Sequence, residues 1–143
     1  MSNVQYAFLD RARVPDRPAL QASIDALGFD LKLYPDFTPF TDEGFSPCVL
    51  GGEEGPGFEI AYQTASEATD DDEDFLAIAD GRDYCITLVW RGSMKDLACV
   101  MIVSCALTKD FGAVVSYEGD EPSPLDEMLA STKEILIDAA AEK

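Results

Sequence analysis

The run R-D-Y-C-I-T-L-V-W-R-G-S-M-K-D-L-A-C-V-M-I-V-S-C-A-L-T-K, residues 82–109, carries the strongest structural signal in the chain. Its first part, Arg82–Trp90, is rich in β-branched and aromatic residues and predicts a strand. Ser93, with Asp96 three residues later, resembles a capping box and opens a predicted helix over about Met94–Lys109. This helix is apolar on almost every side, so we expect it to lie against a sheet or in the core.

The flanking sequence predicts a mixture of hairpins and helices. Further strands are predicted at Val4–Leu9, Phe29–Tyr34, Cys48–Leu50, Gly57–Thr64 and Gly112–Tyr117. Helices are predicted after Asp16 and after Ser123–Pro124, with a short helical turn at Phe75–Ala79. The run G-G-E-E-G-P-G, residues 51–57, is predicted to be a hairpin connection.

This order of elements predicts one domain over residues 1–143, because the chain contains neither an internal repeat nor a linker. Hairpins mixed with helices indicate the α+β class. We expect a single-domain sandwich in which about three helices pack on a mixed or mostly antiparallel sheet.

The charge of the chain is strongly negative. There are 28 Asp and Glu against 10 Lys and Arg, a formal net charge of −18, whereas a small domain usually carries about 2–8 charges of either sign. The acids are spread evenly along the chain, so the whole surface repels nucleic acids and anionic membranes. We therefore expect neither as a partner. An acidic proteome background, such as that of a halophile, would give the same composition.

The cysteines and the apolar segments predict a reduced, cytoplasmic protein. Cys48, Cys85, Cys99 and Cys105 form no C-x-x-C pair and are interpreted as small buried hydrophobes. The N-terminal residues M-S-N-V-Q-Y do not resemble a signal peptide. The longest nearly apolar segment, Leu97–Leu107, is too short to span a bilayer.

The chain contains no histidine, which excludes Ser-His-Asp and Cys-His catalysis and histidine-bound zinc. Cys48 is the one cysteine outside a strongly apolar run, and the carboxylates near it in sequence disfavour a thiolate nucleophile. Among 28 acids no pair stands out as a general acid and base. We predict a non-enzymatic protein without a cofactor.

The acidic run A-T-D-D-D-E-D-F, residues 68–75, matches a calcium loop only in part. Asp70, Asp72 and Asp74 match positions 1, 3 and 5 of an EF-hand. Position 6, normally Gly, is Phe75, and position 12, normally a bidentate Glu, is Gly81. No dedicated calcium site is predicted and no metal ligand is assigned, although weak cation binding stays open.

Two acid-rich windows are candidates for protein binding, Glu67–Asp83 and Glu118–Glu127. If the strands beside them were neighbours, a parallel arrangement would separate the windows and an antiparallel one would bring them to the same end. Trp90 is either a core residue, the favoured interpretation, or an exposed anchor. The candidate binding residues are Asp70, Asp71, Asp72, Glu73, Asp74, Trp90, Glu118, Asp120 and Glu121.

The layout of residues 82–140 resembles small bacterial domains of unknown function. The strand I-T-L-V-W-R-G-S leads into an apolar helix, and K-D-F-G-A-V-V-S-Y-E-G leads into an amphipathic one. Some such families are immunity proteins encoded beside secreted toxins, and the resemblance implies a similar role. Those families often have a double Gly and an Asp near the second strand, where this chain has Phe111-Gly112 and Tyr117-Glu118, so no functional residue is transferred.

The leading hypothesis is an acidic interaction protein, immunity-like in style, that inhibits or escorts a basic protein. Two alternatives stay open. The first is a small-molecule or divalent-cation binding module, or an enzyme that uses carboxylates, and the second is an acidic housekeeping protein of unknown role. The sequence does not predict an oligomeric state.

Overall fold

A computed structural model describes residues 3–141, which form a six-stranded sheet in the order β2-β3-β4-β5-β1-β6. Every neighbouring pair of strands is antiparallel. The prediction of an α+β domain with a mostly antiparallel sheet is confirmed. The strands are β1 (Asn3–Leu9), β2 (Leu31–Lys32), β3 (Gly44–Leu50), β4 (Glu53–Thr64), β5 (Tyr84–Trp90) and β6 (Val114–Tyr117).

Three long helices and two short ones lie against this sheet. The three long helices correspond to the three that the sequence predicts. The helices are α1 (Arg17–Ala26), α2 (Ala65–Thr69), α3 (Glu73–Ile78), α4 (Met94–Phe111) and α5 (Leu125–Ala141), and a 3₁₀ turn covers Arg11–Arg13. Among residues 3–141, no helix is long and apolar enough to cross a membrane.

The long helices α1, α4 and α5 cover one face of the sheet, and α4 lies at the centre of the core. Every residue of α4 from Ala98 to Leu107 is buried, as its nearly uniform apolar sequence predicts. From the sheet, Ile86 and Leu88 of β5 belong to the same core. Burying a side chain of this size contributes about 1.5–3 kcal/mol relative to leaving it exposed, so this face supplies most of the hydrophobic stabilisation.

The opposite face of the sheet carries a smaller cluster. Successive strand residues point to opposite faces, so Phe8 and Cys85 lie behind the main core. The short helices α2 and α3 cover them, and Phe75 packs edge-on against Tyr6, with ring centroids 5.0 Å apart, and against Phe8, at 6.0 Å. On the same face Phe45 of β3 is 56% exposed.

The start of α4 combines the predicted Ser93 cap with a contact to the sheet. The Ser93 hydroxyl accepts hydrogen bonds from the backbone N–H groups of Lys95 and Asp96, as an N-cap should. The Asp96 carboxylate accepts the backbone N–H of Gly57 in β4, at 3.0 Å. Asp96 therefore ties the start of the helix to the sheet.

The G-G-E-E-G-P-G run is a shorter connection than predicted. Only Gly51 and Gly52 form the turn, both with positive φ (56° and 82°), as a two-residue hairpin turn requires. The rest of the run belongs to β4, where the pairing with β3 shifts register between Pro47 and Val49. The predicted strand Phe29–Tyr34 shortens to the two residues of β2.

Candidate acidic interaction surface

The acidic run at residues 70–74 lies at the junction of α2 and α3. α2 ends at Thr69, and Asp70 and Asp71 follow with positive φ values of 53° and 56°. Aspartate tolerates this left-handed conformation better than most residues. Asp72 is the N-cap of α3, and its carboxylate accepts the backbone N–H of Phe75 at 3.0 Å. The run is thus a folded turn, and Asp72 has a structural role within it.

The remaining acids of the run point into solvent. Glu73 and Asp74 occupy the first turn of α3, where a negative charge is favoured by the helix dipole. Both are exposed, as are Asp70 and Asp71. Within residues 3–141, no three Asp, Glu, Cys or His side chains are placed to hold a common metal ion. The run therefore presents separate carboxylates rather than a chelating loop.

The second acidic segment is the turn after β6. Glu118 has a φ of 51°, and its backbone N–H donates to the carbonyl of Val4 at 3.0 Å. The Ser116 hydroxyl donates to the carbonyl of Asp120 at 2.6 Å, which closes the turn. The side chains of Glu118, Asp120 and Glu121 are all exposed.

The fold brings these two acidic segments together. β5 and β6 are not neighbours, because β1 lies between them, and both run antiparallel to β1. Strand direction alone would place the two windows at opposite ends. Instead α2 and α3 fold back across the sheet, and Phe75 reaches Gly119: a Cβ added to Gly119 would lie 3.9 Å from the ring. Residues 70–74 and 118–121 together are called the acidic surface below.

The acidic surface affects the ionisation of a neighbouring tyrosine. Tyr6 contacts Phe75, and burial raises the pKa of its hydroxyl above the ordinary value. The carboxylate of Glu118 adds to this increase, since a nearby negative charge disfavours the tyrosinate.

No carboxylate of the acidic surface has a Lys or Arg partner among the described residues. The nearest base in sequence, Arg82, donates to the carbonyl of Gly112 at 2.7 Å and pairs with Asp80 at 3.6 Å. The other ion pairs within residues 3–141 are Lys32–Asp25, Arg91–Glu59, Lys95–Glu53 and Lys109–Asp110. The charge of the acidic surface is thus left for solvent ions or for a partner.

Trp90 is not part of the acidic surface. Its side chain is 6% exposed and lies on the helix-covered face, in line with Ile86 and Leu88 of the same strand. The core interpretation of Trp90 is confirmed, and the exposed-anchor interpretation is wrong. Its ring contacts Tyr117, with centroids 5.8 Å apart, and it lines a surface cavity of about 480 Å³ together with Gln5.

Sequence reasoning missed the two aromatic residues that shape this side of the molecule. The sequence analysis uses Phe75 as the start of a short helical turn and as a misfit to a calcium loop, yet Phe75 joins the two acidic segments. Phe45 lies across Gly57 of the neighbouring strand, where a Cβ would be 2.9 Å from the ring Cζ. Gly57 pairs with Pro47, and Phe45 pairs with Glu59, so Phe45 reaches Gly57 diagonally across the two strands. Such a contact leaves no local sequence pattern, because it depends on the hairpin register.

Comparison of the chain with protein family models, with curated proteins and with solved structures finds no match. The resemblance of residues 82–140 to small bacterial immunity-like domains therefore stays a prediction.

Proposed function

We propose that this chain is a non-enzymatic interaction domain that binds a basic protein through the acidic surface. One observation supports this most directly. Two acidic segments more than 40 residues apart in sequence meet at the contact between Phe75 and Gly119, and none of their carboxylates is paired with a described Lys or Arg. The net charge of −18 extends this negative field over the whole molecule.

The acidic surface is held in place before any partner arrives. Thr64 forms a complete capping box with Glu67 at the start of α2, and Asp72 caps α3. Phe75 is fixed by its edge-on contacts with Tyr6 and Phe8. A partner would therefore order little backbone on binding, which lowers the entropic cost of association.

Backbone conformation also supports a role for these acids. Asp70, Asp71 and Glu118 adopt positive φ, which aspartate tolerates comparatively well and which costs a longer side chain such as that of Glu118 roughly 1–2 kcal/mol. Glycine would fit each position with less strain. Acids placed where glycine is easier are consistent with a requirement for their charge.

An immunity-type role is the specific form of this proposal. In that case the partner would be a basic toxin, and occupation of its cationic site by the acidic surface would inhibit it. The support for this form is the resemblance of residues 82–140 together with the charge, and an adjacent toxin gene would strengthen it.

The test is a pull-down from the lysate of the native host with three baits at low and high salt. The baits are the wild type, a surface variant (Asp71→Asn, Glu73→Gln, Asp74→Asn) and a control variant (Asp36→Asn, Glu134→Gln, Asp138→Asn). Both variants lose three exposed charges, and Asp72 is kept because it caps α3. The proposal predicts a basic protein retained at low salt by the wild type and the control, and weakly by the surface variant. Equal retention by all three baits would contradict the assignment of the surface.

A further inference from the structure

A cavity of about 480 Å³ lies on the helix-covered face of the sheet. One wall comes from adjacent positions on three strands, since Asn3 is paired with Trp90 and Gln5 is paired with Tyr117. The opposite wall comes from α4 and α5, through Leu97, Met101, Ser131 and Ile135. The volume falls within the range of small-molecule sites, about 300–1,000 Å³.

Gln5 is the buried polar residue of this cavity, at 4% exposure. Its side-chain nitrogen Nε2 donates to Ser104 Oγ at 2.8 Å and to Met101 Sδ at 3.4 Å. The Ser104 hydroxyl has a single proton, which it donates to the carbonyl of Val100 at 2.8 Å, so it accepts from Gln5. Both contacts of the amide on this side therefore require a donor, which fixes the orientation of the amide group.

The other end of the amide, Gln5 Oε1, is left without a partner. No residue within 3–141 donates a hydrogen bond to this oxygen, although it can accept two. In that part of the chain Thr108 Oγ1 is the one fully enclosed side-chain oxygen or nitrogen that lacks a partner, so Gln5 Oε1 stays accessible from the cavity that Gln5 lines. A ligand that donates a hydrogen bond to Oε1 would satisfy it.

The surroundings of Gln5 favour a flat molecule without charge. The rings of Trp90 and Tyr117 lie 5.8 Å apart between centroids at an angle of 38°, and aromatic walls of this kind pack well against a planar ring. None of the described residues that line the cavity is charged, although Asp, Glu, Lys and Arg make up 27% of the chain. An ionised ligand would lose hydration here without finding a counter-charge.

We propose that this cavity binds a neutral, planar heteroaromatic molecule whose N–H donates to Gln5 Oε1 while its ring packs against Trp90 and Tyr117. The acceptor selects for a donor on the ligand, and the uncharged walls select against carboxylates and amines. The site uses no carboxylate of the acidic surface, so it is independent of the proposed protein-binding function.

The experiment titrates the ¹⁵N-labelled full-length protein with three probes and follows ¹H–¹⁵N NMR spectra. Indole is neutral and has the N–H, 1-benzofuran has the same shape without a donor, and indole-3-acetate adds a carboxylate. Trp90 is the only tryptophan, so its ring N–H gives one assignable signal. Indole should shift this signal and the Gln5 side-chain amide saturably, with a Kd of about 1 mM or tighter. Benzofuran should bind about threefold to tenfold more weakly, and indole-3-acetate should also bind more weakly than indole.

Variants of the cavity wall test the location of the site. Ser131→Phe places a ring in the cavity and should weaken indole binding about tenfold or more, whereas Ala130→Phe, at an exposed position of α5 that does not line the cavity, should not. Gln5→Met keeps the length of the side chain without the acceptor and should abolish the preference for indole over benzofuran.

The wild-type protein with the three probes decides the matter even if Gln5→Met fails to fold. Absence of saturable shifts at Trp90 and Gln5 up to the solubility limit of indole would overturn the proposal. Equal affinity for indole and benzofuran, or tighter binding of indole-3-acetate, would overturn the assigned ligand class. Unchanged indole affinity in Ser131→Phe would overturn the location.

Discussion

Gly57 shows how closely a single position constrains the sheet. A Cβ at this position would overlap the backbone carbonyl oxygen of Ser46 and would lie 2.9 Å from Phe45 Cζ. The glycine has no unusual φ, so its requirement comes from the close approach of the neighbouring strand and its aromatic ring. The glycines of the turn at residues 51–52 are required for a different reason, their positive φ.

Replacing Gly57 by Ala should therefore lower the free energy of unfolding by about 1–3 kcal/mol, because the backbone of β3 must move to admit the Cβ. Urea denaturation measures the change. Ala61→Gly on the same strand is the control, since Ala is normally the better strand residue and its loss should cost about 0.5–1 kcal/mol. A Gly57→Ala protein as stable as the wild type would show that the strands can separate freely at this point.

Glu118 provides a test of strain at the acidic surface. Glu118 adopts a φ of 51°, whereas Glu121 in the same turn does not have a positive φ. Glu118→Gly should raise the free energy of unfolding by about 0.5–1 kcal/mol, because relief of left-handed strain exceeds the entropy that Gly adds to the unfolded chain. Glu121→Gly removes the same charge and should lower it. A loss of stability in both variants would show that Glu118 is not strained.

For single residues, the sequence predicted local roles such as helix capping better than contacts between distant elements. Asp16 and Ser93 were identified as helix caps because capping depends on local sequence, and both caps are present. The Asp96 carboxylate, placed in the first turn of α4, reaches β4, 39 residues away in sequence. Such a contact depends on how a helix lies on a sheet, which no local pattern encodes.

Among the elements, α2 and α3 were the ones that the sequence resolved least well. α4 and α5 are long and strongly patterned, so their apolar residues identified them. α2 has five residues and α3 has six, which is too short to establish a helical period. Helix caps and the contacts of Phe75 stabilise α2 and α3. Because the Phe75 contacts come from distant strands, the acidic run looked like a loop in the sequence although it is folded in the structure.

The capping box of α2 should be measurable. Thr64→Ala removes the hydroxyl that accepts the backbone N–H of Glu67 at 3.1 Å. The expected loss is about 1 kcal/mol in the free energy of unfolding, and α2 and α3 should exchange their amide hydrogens faster than α4. Thr38→Ala, in the loop before β3, also removes a hydroxyl bonded to backbone and is the control for a generic threonine effect. Unchanged exchange in α2 would contradict the role of the box.

The same box predicts a pH dependence. The backbone N–H and hydroxyl of Thr64 lower the pKa of Glu67 below its usual value. A carboxyl whose pKa is lowered by folding stabilises the protein above its unfolded pKa, about 4.3, and this contribution is lost as the pH falls through the folded value. The stability difference between the wild type and Glu67→Gln should therefore shrink below about pH 4. A difference that is constant from pH 7 to pH 3 would contradict this.

The whole molecule carries a net charge of −18, and its folded state concentrates that charge. Self-repulsion of this kind destabilises the compact form relative to the expanded chain. The five described ion pairs do little to offset it, because solvent-exposed pairs contribute only about 0–1 kcal/mol each. Screening by salt should therefore act mainly on the repulsion.

Raising sodium chloride from 20 to 500 mM, which shortens the Debye length from about 20 Å to about 4 Å, should raise Tm by several degrees. The control variant Asp36→Asn, Glu134→Gln, Asp138→Asn carries three fewer charges and should gain less. Differential scanning calorimetry measures both proteins. A Tm that falls with salt would show that attractive pairs outweigh the repulsion.

For the whole molecule, the sequence predicted the structural class but not the order of the strands in the sheet. Hairpin signals and buried helices gave the α+β class and the mostly antiparallel sheet, since both follow from local periodicity. The position of β1 between β5 and β6 rests on pairings at least 75 residues apart in sequence. The proximity of the two acidic segments depends on that strand order. The sequence therefore showed which segments are acidic, and the fold showed that they lie close together.

We propose that the acidic surface, and not the overall charge, attracts a basic partner. The association rate constant of the captured basic protein, measured at 50 and 500 mM salt, tests this with the surface variant and the control variant of equal charge. At low salt the surface variant should associate more slowly, on the order of tenfold, and the control should stay close to the wild type. At high salt the three rates should converge. Equal slowing of both variants at low salt would contradict the claim, because net charge alone would then account for the binding.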